Sequence, residues 1–203
     1  MKPWKPPAGV KCLAGVDEGG RGPLAGDVVT AAVVLPVNHR IEGLADSKTL
    51  SARQRENLYS DIISHADCWA VGRASVAEID RFNILQATLM VMRRAVMGLR
   101  MQPDYVAVDG NRVPQWEYSA EAVVKGDGRV EVISAASIIA KVVRDAEMAE
   151  MHIKYPGYGF DSNKGYGTAQ HLEALERLGP APIHRRSFAP VRKEMGLDQS
   201  DLF

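Results

Sequence analysis

Residues 10–35 read Val10-Lys11-Cys12-Leu13-Ala14-Gly15-Val16-Asp17-Glu18-Gly19-Gly20-Arg21-Gly22-Pro23-Leu24-Ala25-Gly26-Asp27-Val28-Val29-Thr30-Ala31-Ala32-Val33-Val34-Leu35. Two apolar runs flank a glycine-rich loop. The first, Val10 to Val16, stops at a pair of carboxylates, Asp17 and Glu18, and the second, Val28 to Leu35, is β-branched and is ended by Pro36. Both have the composition of buried strands, and their closeness in the chain predicts a hairpin. Adjacent carboxylates at the end of a buried strand repel each other, and a divalent cation relieves that repulsion. The glycines allow a backbone to come close to something large, and Arg21 suits a partner that bears phosphate.

Outward from this hairpin, Ser51 followed by Gln54 forms a capping box that opens a helix to about Ala66. Cys68 to Ala74 reads as a strand. Ser75 with Glu78 repeats the capping pattern, and Ile84 to Met101 is a long helix with Leu85, Leu89, Met92, Val96 and Leu99 on one face, ended by Pro103. Tyr105 to Gly110 and Ala122 to Asp127 are short apolar strands that run out at carboxylates. Ser134 to about Ile153 is helical, with Ile138, Ile139, Val142, Val143 and Met148 inward, and Pro156-Gly157 closes it. A loop over 158–167 precedes a helix from Thr168 to Leu178, and Pro190 starts a last short helix. Strands alternating with helices after an early hairpin predict an α/β fold on a mixed sheet.

The 203 residues suffice for one domain with a full core, and no apolar stretch nears the roughly 20 residues needed to span a bilayer. The first residues, Met1-Lys2-Pro3-Trp4-Lys5-Pro6-Pro7, lack the apolar core of a secretory signal, which predicts a cytoplasmic protein. Cys12 and Cys68 lie in apolar segments and read as buried free thiols. With 25 Lys and Arg against 25 Asp and Glu there is no global basic field, so any case for a nucleic-acid partner rests on local clusters.

Such a cluster is legible in the acids. Asp17 with Glu18, Asp109 and Asp127 each follow an apolar strand, and strands that end on one edge of a sheet would bring them together. An all-carboxylate set without His or Cys suits hard cations, Mg²⁺ or Mn²⁺, and these point to phosphate chemistry. The rival use of paired carboxylates is glycoside hydrolysis, in which one acid must stay protonated. Four acids beside basic and glycine-rich neighbours fit the metal better.

Seven segments together resemble bacterial ribonuclease HII: residues 16–26, Asp46-Ser47-Lys48, Asp109-Gly110-Asn111, Lys125-Gly126-Asp127, residues 134–141, Lys164-Gly165-Tyr166-Gly167-Thr168 and His184-Arg185-Arg186-Ser187-Phe188. They stand in family order and cover about residues 13–193. The resemblance implies a ribonuclease H-like mixed five-stranded sheet flanked by helices, with a helical C-terminal part inside a catalytic domain over 13–193. It implies metal-dependent endonucleolytic hydrolysis on the 5′ side of ribonucleotides, in RNA/DNA hybrids or singly embedded in duplex DNA, leaving 3′-hydroxyl and 5′-phosphate ends. By the same resemblance Asp17, Glu18, Asp109 and Asp127 are the catalytic and metal-binding acids. Gly20, Arg21 and Gly22 read the 2′-hydroxyl through backbone groups, and Tyr166 packs against the neighbouring sugar. Ser47, Lys48, Arg185 and Arg186 are expected phosphate contacts. His184, a single loop histidine, is assigned no role.

Residues 1–12 form an N-terminal extension and 194–203 a tail. The tail closes on Gln199-Ser200-Asp201-Leu202-Phe203, which resembles the peptide by which bacterial replication and repair proteins dock on the sliding clamp, with Gln199, Leu202 and Phe203 as anchors. Monomer is the default, because no apolar helix face is left over. Two rival functions are a non-catalytic hybrid-binding protein, which would not need four acids, and a related nuclease for branched DNA, which would not need a 2′-hydroxyl reader.

Overall fold

The expected hairpin forms the centre of the sheet. A computed structural model of the chain describes residues 4–197. Strand β1 (Leu13–Gly19) pairs antiparallel with β2 (Val28–Val34), placing Asp17 opposite Ala31. β3 (Cys68–Ala74) continues antiparallel from β2, while β4 (Tyr105–Asp109) and β5 (Ala120–Val123) extend the other side in parallel. The order is β3-β2-β1-β4-β5, the mixed five-stranded sheet that was expected. Because β1, β4 and β5 run the same way, their C-terminal ends share one edge.

Helices cover both faces, so every residue of β2 is buried. On one face α3 (Glu131–Lys154) and α1 (Ala52–His65) pack Ile133, Ile138, Ile139, Leu58 and Ile62 on Ala31, Val33 and Ala107. On the other, α2 (Val76–Met97) packs Met92, Ala95 and Val96 on Ala14, Val16, Ala32, Val106 and Val108. Three short helices, α4 (Phe160–Asn163), α5 (Ala169–Leu178) and α6 (Ala189–Glu194), complete the C-terminal part. They close over the glycine-rich loop, where Leu24 meets Leu175 and Val191, and Ala25 meets Met148, Phe160 and Ala174.

Local hydrogen bonds explain most boundaries. Ser51 and Ser75 both cap their helices with the expected reciprocal box. The long helix begins earlier than Ile84 because it is two helices merged at Asn83, whose φ is 65° and whose Oδ1 accepts from the amides of Leu85 and Gln86. Asn83 is therefore a second N-cap inside the segment. The expected strand from Ala122 to Asp127 is corrected: β5 ends at Val123, Lys125 turns the chain with φ 55°, and Asp127 stands on a single 3₁₀ turn, Gly126–Gly128. Cys68 is buried and Cys12 half-buried, both as free thiols. Residues 4–12 form no helix or strand and are tied to the base of the sheet, where the amides of Lys11 and Cys12 donate to the Asp104 carboxylate. Among the described residues no helix is long and apolar enough to cross a membrane.

Candidate active site

Strand alternation decides which acids meet. Odd-numbered residues of β1 face α3, so Asp17 points under that helix beside Ser137, whose hydroxyl hydrogen-bonds it. Asp109 ends β4 on the same face. Its Oδ1 accepts from the amides of Gly126 (2.7 Å) and Asp127 (3.3 Å), which folds the 3₁₀ turn back toward β4. The Ser134 hydroxyl holds that turn by donating to the Asp127 carbonyl at 2.6 Å. Asp17, Asp109 and Asp127 thereby offer carboxylate oxygens all within 4.8 Å of one another. Glu18, one residue on, lies outside this triad but lines a cavity with Ser137 and Lys48; it binds Arg21 at 3.2 Å, and among the described residues its buried Oε2 has no hydrogen-bond partner.

Asp17, Glu18 and Asp127 are held above their ordinary range. Burial, then the charges of Glu18 and Asp109, pushes Asp17 well up. Burial also raises Glu18, against the pull of Arg21, and burial followed by the charges of Asp109 and Asp46 raises Asp127. Lys48 reaches Asp127 at 3.5 Å, and although burial opposes its charge, Asp127, Asp46 and Asp17 raise its pKa. An acidic cluster whose charge is disfavoured by burial and mutual repulsion is one that a divalent cation would stabilise.

Two cavities flank the triad and share Lys48. One, of about 450 Å³, lies over Asp109 and Asp127 and is rimmed by Asp46, Lys125 and Arg129. The other, of about 390 Å³, is bounded by Glu18, the Gly20–Gly22 backbone, Ser47 and Tyr166, with the cations Arg55, Lys141 and Arg144 along its wall. Tyr166 is 46% exposed, and its ring stands over Gly22, where a methyl group would meet Cε1 at 3.4 Å. It is a surface ring at the cavity mouth and is not tucked into the core.

The remaining sequence candidates divide. Ser47 is buried with its hydroxyl 2.8 Å from that of Ser137, so it supports the residue that holds Asp17. Arg186 is exposed, and its amide is anchored on Asp80. Arg185 requires a correction: it is fully buried, and its guanidinium donates to the carbonyls of Gly20, Arg21, Gly26 and Asp27, so it has no surface to offer a phosphate. Gln199, Leu202 and Phe203 lie outside the described residues. Sequence reasoning missed Ser137, Lys141 and Arg144. All three lie on the α3 face toward β1, and their helical spacing, with Lys141 and Arg144 at 4 and 7 residues from Ser137, was the available signal.

His184, to which the sequence assigned nothing, is buried against His171 with Nε2 to Nε2 at 3.0 Å. Its Nδ1 accepts from the Ala181 amide, so its Nε2–H donates to His171, whose Nδ1–H donates to the Tyr166 carbonyl. This chain needs both rings neutral. Burial, then His171, lowers His184 to about 4, and burial lowers His171. An unfolded His titrates near 6.5, so as pH falls the unfolded chain takes up protons first. The stabilisation is full above about pH 6.5 and is lost as pH falls toward 4, with His184 alone accounting for about 2 kcal/mol at pH 5. Urea unfolding of the parent and His184→Gln at pH 7 and pH 5 should show the variant losing less stability between the two; equal losses would contradict the buried neutral pair.

Comparison with known proteins agrees with this geometry. The sequence model of the family described as Ribonuclease HII matches residues 14–191. A ribonuclease HII of Paracidovorax citrulli is 60% identical over 189 residues, which is 93% of this chain and 78% of that protein. The ribonuclease H2 of Pyrococcus horikoshii is similar in structure with a TM-score of 0.78 at 32% identity, covering 92% of this chain and 98% of the other. The structure of a PCNA and ribonuclease HII complex from Archaeoglobus fulgidus gives a TM-score of 0.74 at 26% identity, covering 86% and 94%. A match of this length, on a sheet whose parallel strands deliver their acids to one edge, settles the family: this chain belongs to ribonuclease HII, hydrolases that act on the RNA of RNA/DNA hybrids.

Proposed function

We propose that the chain is a divalent-metal-dependent endonuclease that cuts on the 5′ side of ribonucleotides, both in RNA/DNA hybrids and singly embedded in duplex DNA, leaving 3′-hydroxyl and 5′-phosphate ends. The supporting observation is the convergence of Asp17, Asp109 and Asp127 within 4.8 Å, beside a cavity walled by the Gly20–Gly22 backbone. The donor set fits Mg²⁺ or Mn²⁺: all ligands are hard oxygens, and Asp17 is buried beside the like charges of Glu18 and Asp109. Glu18, with one oxygen unpartnered, is the fourth acid. Bound there, a divalent cation supplies a Lewis acid for phosphate oxygens and lowers the pKa of water.

The chain's own groups do the rest. Ser137, braced by Ser47, fixes the Asp17 carboxylate, and the Gly126 and Asp127 amides fix Asp109. Lys48, kept cationic by the acids around it, places positive charge at the edge of the triad, where a phosphate would approach. The Gly20–Gly22 segment, free of side-chain bulk at its two glycines, can lie against the sugar edge and meet the 2′-hydroxyl, the group that separates RNA from DNA. Tyr166, over Gly22, offers an exposed ring for the adjacent sugar, and Arg186 is an exposed cation for the flanking backbone. The activity would start ribonucleotide removal from DNA in the cytoplasm, by a monomer.

Cleavage of three labelled duplexes tests this: one with a single ribonucleotide, one RNA/DNA hybrid and one all-DNA, with Mg²⁺, with Mn²⁺ and with EDTA. The expected result is a cation-dependent cut 5′ to the ribonucleotide and an intact all-DNA control. Cutting of the control, or none of the others by folded protein, would overturn the proposal. For the tail, Gln199, Leu202 and Phe203 are proposed to dock on the bacterial sliding clamp, in keeping with the PCNA complex of the Archaeoglobus fulgidus protein. A chain ending at Gly196 should lose clamp binding and keep cleavage; undiminished binding would remove the tail from the account.

A further inference from the structure

Two guanidinium groups lie buried behind the Gly20–Asp27 loop, and neither makes a salt bridge among the described residues. Arg185 donates through Nε and Nη2 to the Gly26 carbonyl (2.9 and 2.7 Å). Its Nη1 donates to Arg21 (2.9 Å), and Nη2 also reaches Gly20 (2.6 Å) and Asp27 (3.4 Å). Arg144, reaching in from α3, donates to Ala25 (3.1 Å), Asp27 (3.3 Å) and Lys164 (3.0 Å). The loop packs so closely on Arg144 that a Cβ at Gly20 would sit 2.0 Å from its Nε. Burying charge without a carboxylate partner is a poor route to stability, and apolar side chains would fill the space at lower cost. What the two forks provide is direction. Peptide units are planar and there is no cis bond in the described chain, so a carbonyl drawn inward turns the following N–H outward. With the carbonyls of Gly20 and Arg21 held by Arg185, the amides of Arg21 and Gly22 face away from it, and among the described residues neither donates a hydrogen bond.

We propose that Arg144 and Arg185 are positioning residues that hold the carbonyl side of the Gly20–Asp27 loop, so that its free amides are preset for the ribonucleotide and the enzyme discriminates ribose from deoxyribose. This rests on the assignment of the loop as the 2′-hydroxyl reader. The role belongs to arginine because a planar fork serves several carbonyls at fixed angles, whereas a lysine ammonium would serve fewer and leave the rest unpaired. Arg185 is itself held from behind: the Asp80 carboxylate accepts from the amides of Arg186 (3.0 Å) and Ser187 (2.9 Å) and from the Ser187 hydroxyl (2.6 Å), and the Phe188 ring lies 5.1 Å from the guanidinium carbon. Asp80 is thus the outermost member of the support, distant in sequence from both the loop and the acids.

The test is equilibrium binding in EDTA of a duplex with one ribonucleotide and its all-DNA twin, by the full chain and by Arg144→Lys, Arg185→Lys and Asp80→Ala. The parent should prefer the ribonucleotide duplex. Each lysine variant should lose about tenfold or more of that preference, or all of it where the parent's is smaller, the worth of one well-placed hydrogen bond. Binding of the all-DNA twin should stay within about threefold, because phosphate contacts are untouched. Asp80→Ala, a half-buried change that leaves both arginines in place, should lose a few-fold and keeps the question open to measurement if a lysine variant does not fold. A preference undiminished in folded variants would overturn the positioning role alone. A parent without any preference would overturn the reader assignment and this inference with it.

Discussion

Asp17→Asn is expected to lower the turnover of a ribonucleotide-containing duplex by about 10³-fold or more, while raising the thermal midpoint in cation-free buffer by about 2–4 °C. The two effects share one cause. Asp17 is buried among Glu18 and Asp109, and an acid whose folded-state pKa is raised opposes folding at neutral pH. The amide keeps the shape and the contact with Ser137 but removes the charge, so the repulsion disappears together with the cation ligand. Single-turnover kinetics with Mg²⁺, paired with thermal melts in EDTA, measure both. Retained turnover would contradict the catalytic role proposed for Asp17, and a lowered midpoint would contradict the account of the acids as mutually destabilising. Addition of Mg²⁺ should raise the midpoint of the parent more than that of the variant, since a cation that binds only the folded chain stabilises it by mass action.

Gly15→Ala is expected to destabilise the protein by about 3 kcal/mol or more, among the larger effects of a single methyl group. Gly15 sits in β1 where α3 begins, and an added Cβ would lie 2.2 Å from the Val132 carbonyl carbon, 2.3 Å from its oxygen and 2.5 Å from the Ile133 amide nitrogen. All three are backbone atoms of a helix that also packs on β2, so no side-chain rotation relieves the overlap. Two residues along the same strand is Asp17, and α3 carries Ser137, so lifting the helix should also disturb the acidic triad. Gly128→Ala is the matched control. It has no atom within 4 Å of an added Cβ and no positive φ, so its effect should stay within about 0.5 kcal/mol. Urea midpoints for the two variants give the comparison, and equal midpoints would mean that α3 can shift away from β1 at little cost.

The elements that were legible in the sequence are those fixed by neighbours a few residues apart. The capping boxes at Ser51 and Ser75 involve residues three positions on, and strand β3 occupies the predicted Cys68–Ala74. The kink at Asn83 is also local, but its signal, a single asparagine before Ile84, is weak against a continuous apolar pattern. Asp127 shows the limit of pattern reading. Its apolar approach predicts a strand, yet Lys125 adopts a left-handed conformation and the acid reaches its neighbours from a turn that Asp109 and Ser134 hold in place.

By itself, the sequence determined the chemistry available to this protein: hard acidic ligands at the ends of apolar strands, a loop poor in side chains, and a family order of motifs that identifies the ribonuclease HII fold. Only the tertiary structure decided which of these residues act together. The parallel pairing of β1 with β4 joins Asp17 to Asp109 and sets Glu18 beside them, lining the adjoining cavity. Arg185, which reads as a surface cation, is enclosed beneath a loop about 160 positions earlier, and Arg144 meets Ala25 across 119 positions. Contacts at such separations leave no periodic trace in the chain, because they are set by how the C-terminal helices pack over the loop and by where buried carbonyls need a donor.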